Sequence, residues 1–97
     1  MANNVTTVQG HLVPISYTQI TNVSAAVGIS APDRTAIALI QAEGDVRWRD
    51  DGVDPTSTVG QVLYDKDTLI YSGDMSAIKF IEVSSANLNV TFYKNNG

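Results

Sequence analysis

Few side chains in this sequence are placed to do chemistry, and most of them fall in one short run. Val46-Arg47-Trp48-Arg49-Asp50-Asp51-Gly52 brings together two guanidiniums, an indole and two carboxylates, and Asp54 follows closely. Two carboxylates across a cleft are the equipment of a glycosidase. Oxygen-rich loops hold calcium, and an indole grouped with phenols can stack on sugar rings. Each of these readings has a plainer competitor. Nothing in the sequence sets the separation of Asp50 and Asp51 or raises the pKa of either. Ion pairing with Arg47 and Arg49, within the chain or between subunits, is the favoured reading, since arginine suits bidentate carboxylate pairs. A calcium loop needs oxygen ligands at alternate positions and a distal Glu, which this run lacks. Asp50, Asp51 and Asp54 are expected to cap a turn through side-chain-to-backbone hydrogen bonds. Trp48 alternates in phase with Val46, which predicts a core position, and Tyr17, Tyr64, Tyr71 and Tyr93 share no legible face. His11 is the single histidine. It has no Cys, Asp or Glu close by in sequence and reads as an exposed polar residue.

Composition narrows the chemistry further. The chain has no cysteine, which removes disulfides, thiolate metal sites and thiol nucleophiles. Its net charge is −4 with only 6 lysines and arginines, and a nucleic-acid binder needs a basic stripe to displace counterions. No run approaches the roughly 18 apolar residues of a membrane span. The opening Met1-Ala2-Asn3-Asn4 lacks the basic and apolar regions of a secretory signal, so synthesis and folding in a cytoplasm are expected. The 97 residues read as one domain with one thin core. A fold of this size without covalent staples gains from oligomerisation. The expectation is a non-enzymatic protein with no cofactor and no metal.

The elements that would position the charged run are strands. Period-2 alternation and short β-branched runs dominate, and sustained 3.6 periodicity is absent. Strands are predicted at 15–20, 23–29, 36–43, 46–49, 61–64, 68–71, 77–83 and 88–93, separated by turn chemistry such as Thr21-Asn22, Glu43-Gly44-Asp45, Asp65-Lys66-Asp67 and Ser72-Gly73-Asp74. In 36–43, Ile37 and Leu39 alternate with Ala38 and Ile40, as in a strand buried on both faces. Residues 77–83 and 88–93 read as a hairpin around Ser84-Ser85-Ala86-Asn87. About eight short strands spaced in this way predict an all-β, jelly-roll-like β-sandwich. Its expected core is Leu39, Val46, Trp48, Phe80, Leu88, Val90 and Phe92. Residues 1–14, rich in Val and Thr and broken by Gly10 and Pro14, are expected to form an extended arm or an edge strand. Residues 15–94 form the sandwich and 95–97 a polar tail.

Several stretches carry a family resemblance. They are Arg34-Thr35-Ala36-Ile37-Ala38-Leu39-Ile40-Gln41-Ala42-Glu43, the run Val46 to Gly52, Pro55-Thr56 with Val59-Gly60, Gly73-Asp74-Met75-Ser76-Ala77-Ile78-Lys79-Phe80-Ile81, and Leu88-Asn89-Val90. Together they resemble short proteins encoded among the virion-structure genes of tailed bacteriophages. The resemblance extends from about Ser16 to Phe92, and the Arg-Trp-Arg-Asp-Asp-Gly element followed by a Pro-Thr loop is its most specific part. It implies a virion component of the capsid decoration (cement) type, a compact β fold that forms a homotrimer on the capsid surface and binds the major capsid protein. A tail, baseplate or fibre-associated module that binds host-surface sugars is the alternative. A small cupin-type enzyme is a third reading, short of the usual histidine cluster. The family carries no catalytic residues to transfer. Expected intersubunit contacts are Val5, Val8 and Leu12 from the arm, the loop over 51–59, and Arg47, Arg49, Asp50 and Asp51.

Overall fold

The computed structural model describes residues 12–95. The readings that fall on 1–11, Val5, Val8 and His11 among them, and on residues 96–97 lie outside the described residues. The described chain is all-β, in seven strands: β1 (Leu12–Ile20), β2 (Thr35–Glu43), β3 (Val46–Arg49), β4 (Gln61–Leu63), β5 (Thr68–Tyr71), β6 (Lys79–Glu82) and β7 (Asn87–Asn95). They form two antiparallel sheets, one ordered β1-β7-β2-β5 and the other β4-β3-β6.

Alternation along the strands decides what is buried. In the larger sheet Ala38, Ile40 and Ala42 of β2 lie opposite Phe92, Val90 and Leu88 of β7. All of these point to one face and are buried. From the smaller sheet Val46, Leu63 and Phe80 join the same hydrophobic cluster, with Val23, Ile29, Ile78 and Ala86 closing it from the connections. Five of the residues expected in the core, Val46, Phe80, Leu88, Val90 and Phe92, are therefore buried. Leu39 is not: it pairs with Thr91 and with the exposed Ile70 on the outer face. Strand 35–43 is thus buried on one face only, because no second layer of described residues covers its Ile37–Leu39 side. Trp48 points inward but is only half-buried, packed against the core at its margin.

Three expected elements change. The strand over 23–29 reduces to a single bridge in which Val27 and Phe80 exchange backbone hydrogen bonds, both 2.9 Å. Val23 O accepts a further bond from Glu82 N at 2.9 Å. Val23 and Ile29 are anchored in the core, while the small residues Ser24 and Ala25 bend outward between them. The segment therefore tracks β6 without a continuous ladder. β1 begins at Leu12 and runs through Pro14, with an irregularity between Pro14 and Ser16. As an edge strand it tolerates a residue without an N–H, so no break in the sheet falls at residue 14. At the other end Asn95, expected in the polar tail, pairs with Leu12.

The two sheets are joined at a tight corner. Gly44 and Asp45 alone carry the chain from β2 in one sheet to β3 in the other. Gly44 adopts φ +105°, and a Cβ there would lie 2.3 Å from Ser85 O. Neighbouring connections are bonded to the same spot. Gly44 N donates to Asp65 Oδ1 at 2.8 Å and Asp65 N to Asp45 Oδ1 at 2.8 Å. Val83 N donates to Asp45 O at 3.0 Å. Gly44→Ala combines a left-handed backbone with a backbone clash, and is expected to destabilise the protein by about 3–5 kcal/mol in denaturant titration. The Gly44 N–H holds the Asp65 carboxyl below its ordinary value of 3.8. Its contribution is therefore complete above that value and lost as pH falls through the depressed one. Asp65→Asn is expected to lower stability at neutral pH and to shrink the loss of stability in acid, read as thermal midpoints from pH about 2 to 7.

Candidate functional site

Pleating sends alternate side chains of β3 to opposite sides of the smaller sheet, so Val46 and Trp48 point inward while Arg47 and Arg49 point outward. Arg47 pairs across the sheet with Val62 and Ile81, and its guanidinium reaches the following loop. Nε donates to Ser57 O at 3.2 Å and one terminal nitrogen to Gly60 O at 2.9 Å. Within that loop Thr56 and Val59 exchange backbone bonds of 2.9 and 3.2 Å. Arg49 grips Asp51 with two nitrogens, at 3.0 and 2.5 Å. This hydrogen-bonded pair holds the Asp51 carboxyl below its usual range. Asp51 Oδ1 also accepts from Val53 N at 3.4 Å, and Lys79 approaches Asp54 at 3.9 Å.

Asp50 has a different partner. Tyr71, the last residue of β5 and buried, points inward from the larger sheet, and its hydroxyl donates to Asp50 Oδ2 at 2.8 Å. The same hydroxyl lies 3.1 Å from Asp74 O. The Trp48 and Tyr71 rings meet edge to face, with centroids 6.3 Å apart and planes at 69°, an arrangement aromatic quadrupoles favour. Tyr71 is thus a strut from the larger sheet to the end of β3. It needs Gly73: a Cβ there would sit 2.5 Å from the Tyr71 hydroxyl oxygen. Burial, followed by the Asp50 carboxylate, pushes the Tyr71 phenol up to about 12.

A shallow cleft of about 560 Å³ opens beside this cluster, lined by Trp48, Arg49, Asp50, Asp51, Val59, Gly60 and Gln61. Chemically it offers the margin of an indole, a charged pair and an amide. Asp51 is lowered and ion-paired, whereas the general acid of a glycosidase needs a raised carboxyl. The three aspartates expected at a turn are each engaged by a different partner: Tyr71, Arg49 and Lys79. Among the described residues no group of three or more His, Cys, Asp and Glu side chains is arranged to hold a metal ion.

The structure gathers Arg47, Arg49, Asp50 and Asp51 at one end of β3. Leu12, grouped with them in the sequence as a contact residue, stands on the outer edge of the other sheet. Of their partners, Tyr71 enters the sequence reading only as one of four tyrosines without a shared face, and Gly73 and Gly60 only as parts of turn and loop stretches. Gly73 carried a faint signal, as a glycine two positions beyond a strand-ending tyrosine. Its φ is not left-handed, so the need for it is space rather than backbone freedom. Comparison with models of known protein families, with curated proteins and with solved structures finds no match to this chain.

The strut makes a pH-dependent prediction. Tyr71→Phe loses a hydrogen bond to a carboxylate and is expected to cost about 1.5–3 kcal/mol at neutral pH. Between the ordinary phenol value of 10.0 and about 12, the unfolded chain releases the proton and the folded chain keeps it. Wild-type stability therefore falls as pH rises through that window. The variant lacks this loss, so the gap between the two proteins is expected to narrow in alkali, as measured by urea denaturation at stepped pH.

Proposed function

We propose that this protein is an assembly module, a capsid decoration protein of a tailed bacteriophage that binds across adjacent major capsid subunits as a homotrimer. The observation that carries the reading is the use made of the Arg-Trp-Arg-Asp-Asp-Gly element, the most specific part of the phage resemblance. Its charged groups brace a loop. Arg47 ties the loop down at Ser57 and Gly60, and Arg49 fixes its start through Asp51. The loop presents Val53 and Val59, 53% and 51% exposed. A rigid loop with apolar tips loses little entropy on docking. Repeated by three-fold symmetry, modest contacts of this kind add up to a tight hold on a lattice.

A jelly-roll-like sandwich is the architecture proposed for this module. One hydrophobic cluster is shared by both sheets. If the bridged segment at 23–29 is counted as a strand beside β6, the chain has eight β segments. The orders β1-β7-β2-β5 and β4-β3-β6 then extend to two sets of four, as in two interleaved Greek keys. The expected N-terminal arm, Val5 and Val8 included, remains part of the proposal as a tether to a neighbouring subunit.

A second reading, a tail or baseplate module binding host-surface carbohydrate, is favoured by the cleft that sets Trp48 beside Asp50, Asp51 and Gln61. Copy number separates the two. Quantitative mass spectrometry of purified virions is expected to find close to one copy per major capsid subunit. A few per cent of that, with measurable glycan binding, would move the protein to the tail. Val59→Asp, at an exposed loop tip, is expected to leave folding intact and weaken capsid binding by at least about tenfold. Unchanged affinity would remove the loop from the contact.

A further inference from the structure

The outer face of the four-stranded sheet carries almost no charge in a chain of 10 acidic and 6 basic residues. Register sets its rows. Tyr17, Thr91, Leu39 and Ile70 run side by side across all four strands, and Tyr93 with Ile37 forms the row beside them. The next row in the other direction is Gln19, Asn89, Gln41 and Thr68. Hydrogen bonds confirm that these side chains share a face. Tyr17 Oη donates to Asn89 Oδ1 at 2.6 Å, and Gln19 Nε2 lies 3.3 Å from both Asn89 Oδ1 and Glu43 Oε1. Glu43, at the corner, is the single formal charge among the described residues of this face. Lys94 alternates to the opposite side. Tyr17 and Ile70 are 59% and 64% exposed.

We infer that this face seats a second copy of the chain. The argument begins with charge. Two molecules of net charge −4 repel wherever carboxylates meet, and this sheet face, whose one acid is Glu43 at the corner, lets them approach with little charge between them. The polar row suits a copy as well, because each amide both donates and accepts and can be satisfied by an amide of the neighbouring copy. Each outward residue of a sheet commands roughly 30 Å² of flat surface. The face therefore spans about 450 Å² before side-chain relief, which brings it toward the roughly 600 Å² per partner at which stable interfaces begin. The apolar row supplies the dry centre and the amide row the polar rim. This inference takes from the proposed function only that the chain self-associates, and its test needs no capsid.

The test is sedimentation equilibrium of the full chain beside two variants. Ile70→Lys places a charge in the apolar row on an exposed edge strand, where lysine is well tolerated in a monomer. Val62→Lys makes the same change on the outer face of the other sheet. The wild type is expected to sediment as three chains. Ile70→Lys is expected to raise its dissociation constant at least about tenfold, with an unchanged circular dichroism spectrum, and Val62→Lys to leave it unaltered. A wild type that stays monomeric up to its solubility limit would overturn the inference, as would an oligomer that Ile70→Lys leaves intact. Either result would leave virion copy number free to test the decoration reading separately.

Discussion

The rest of the structure depends on the corner at Gly44. Two sheets that share a core must be held in a fixed phase, or the inward rows will not interdigitate. Here the phase is set by the shortest connection between them, Gly44 and Asp45, which link Ala42 inward on β2 to Val46 inward on β3. The corner admits no side chain, because Ser85 and Ala86 pack onto it from the connection between β6 and β7. Asp45 and Asp65 accept from the backbone N–H groups of Asp65 and Gly44, lacing the two crossing turns together. With that end closed, the alternation of every strand follows.

Beyond this corner a side chain adds a further tie between the sheets. Tyr71 crosses from β5 to Asp50 just past the end of β3, with Trp48 packed on its ring. Asp50 would otherwise be one more mobile surface acid. Bound to a buried phenol, it fixes the point from which the loop beyond β3 departs, and Arg47 and Arg49 fix that loop's far end and near end. The charged run that first suggested catalysis is thereby a set of braces for an exposed loop.

Much of this could be read from residue order, and the failures have physical causes. Strict alternation at 88–93 and 46–49 was legible because one face of each strand is buried and the other is not. Leu39 misled because leucine and isoleucine occupy both faces of β2. An apolar outer face looks like a second core when the layer above it cannot be seen. The segment at 23–29 misled because Val23, Val27 and Ile29 are β-branched residues that favour strand, although the small residues between them allow a bend. The braces were half legible: arginines and aspartates in one run announce ion pairs, but the Tyr71 hydroxyl arrives from far along the chain. Cross-sheet partners of that kind leave no local pattern.

One feature of the larger sheet bears on how the protein comes into being. β7 is the latest made of the seven strands, yet it lies in the interior of its sheet, between β1 and β2. Until it emerges from the ribosome, β1 has no hydrogen-bonding neighbour and β2 has only β5. Part of the core waits with them, since Leu88, Val90 and Phe92 arrive together. The closing step joins the first and last strands of the described residues, a slow topology. In the interval the uncharged β1 stretch is an open edge, so a nascent chain is most exposed to misassembly just before β7 is made.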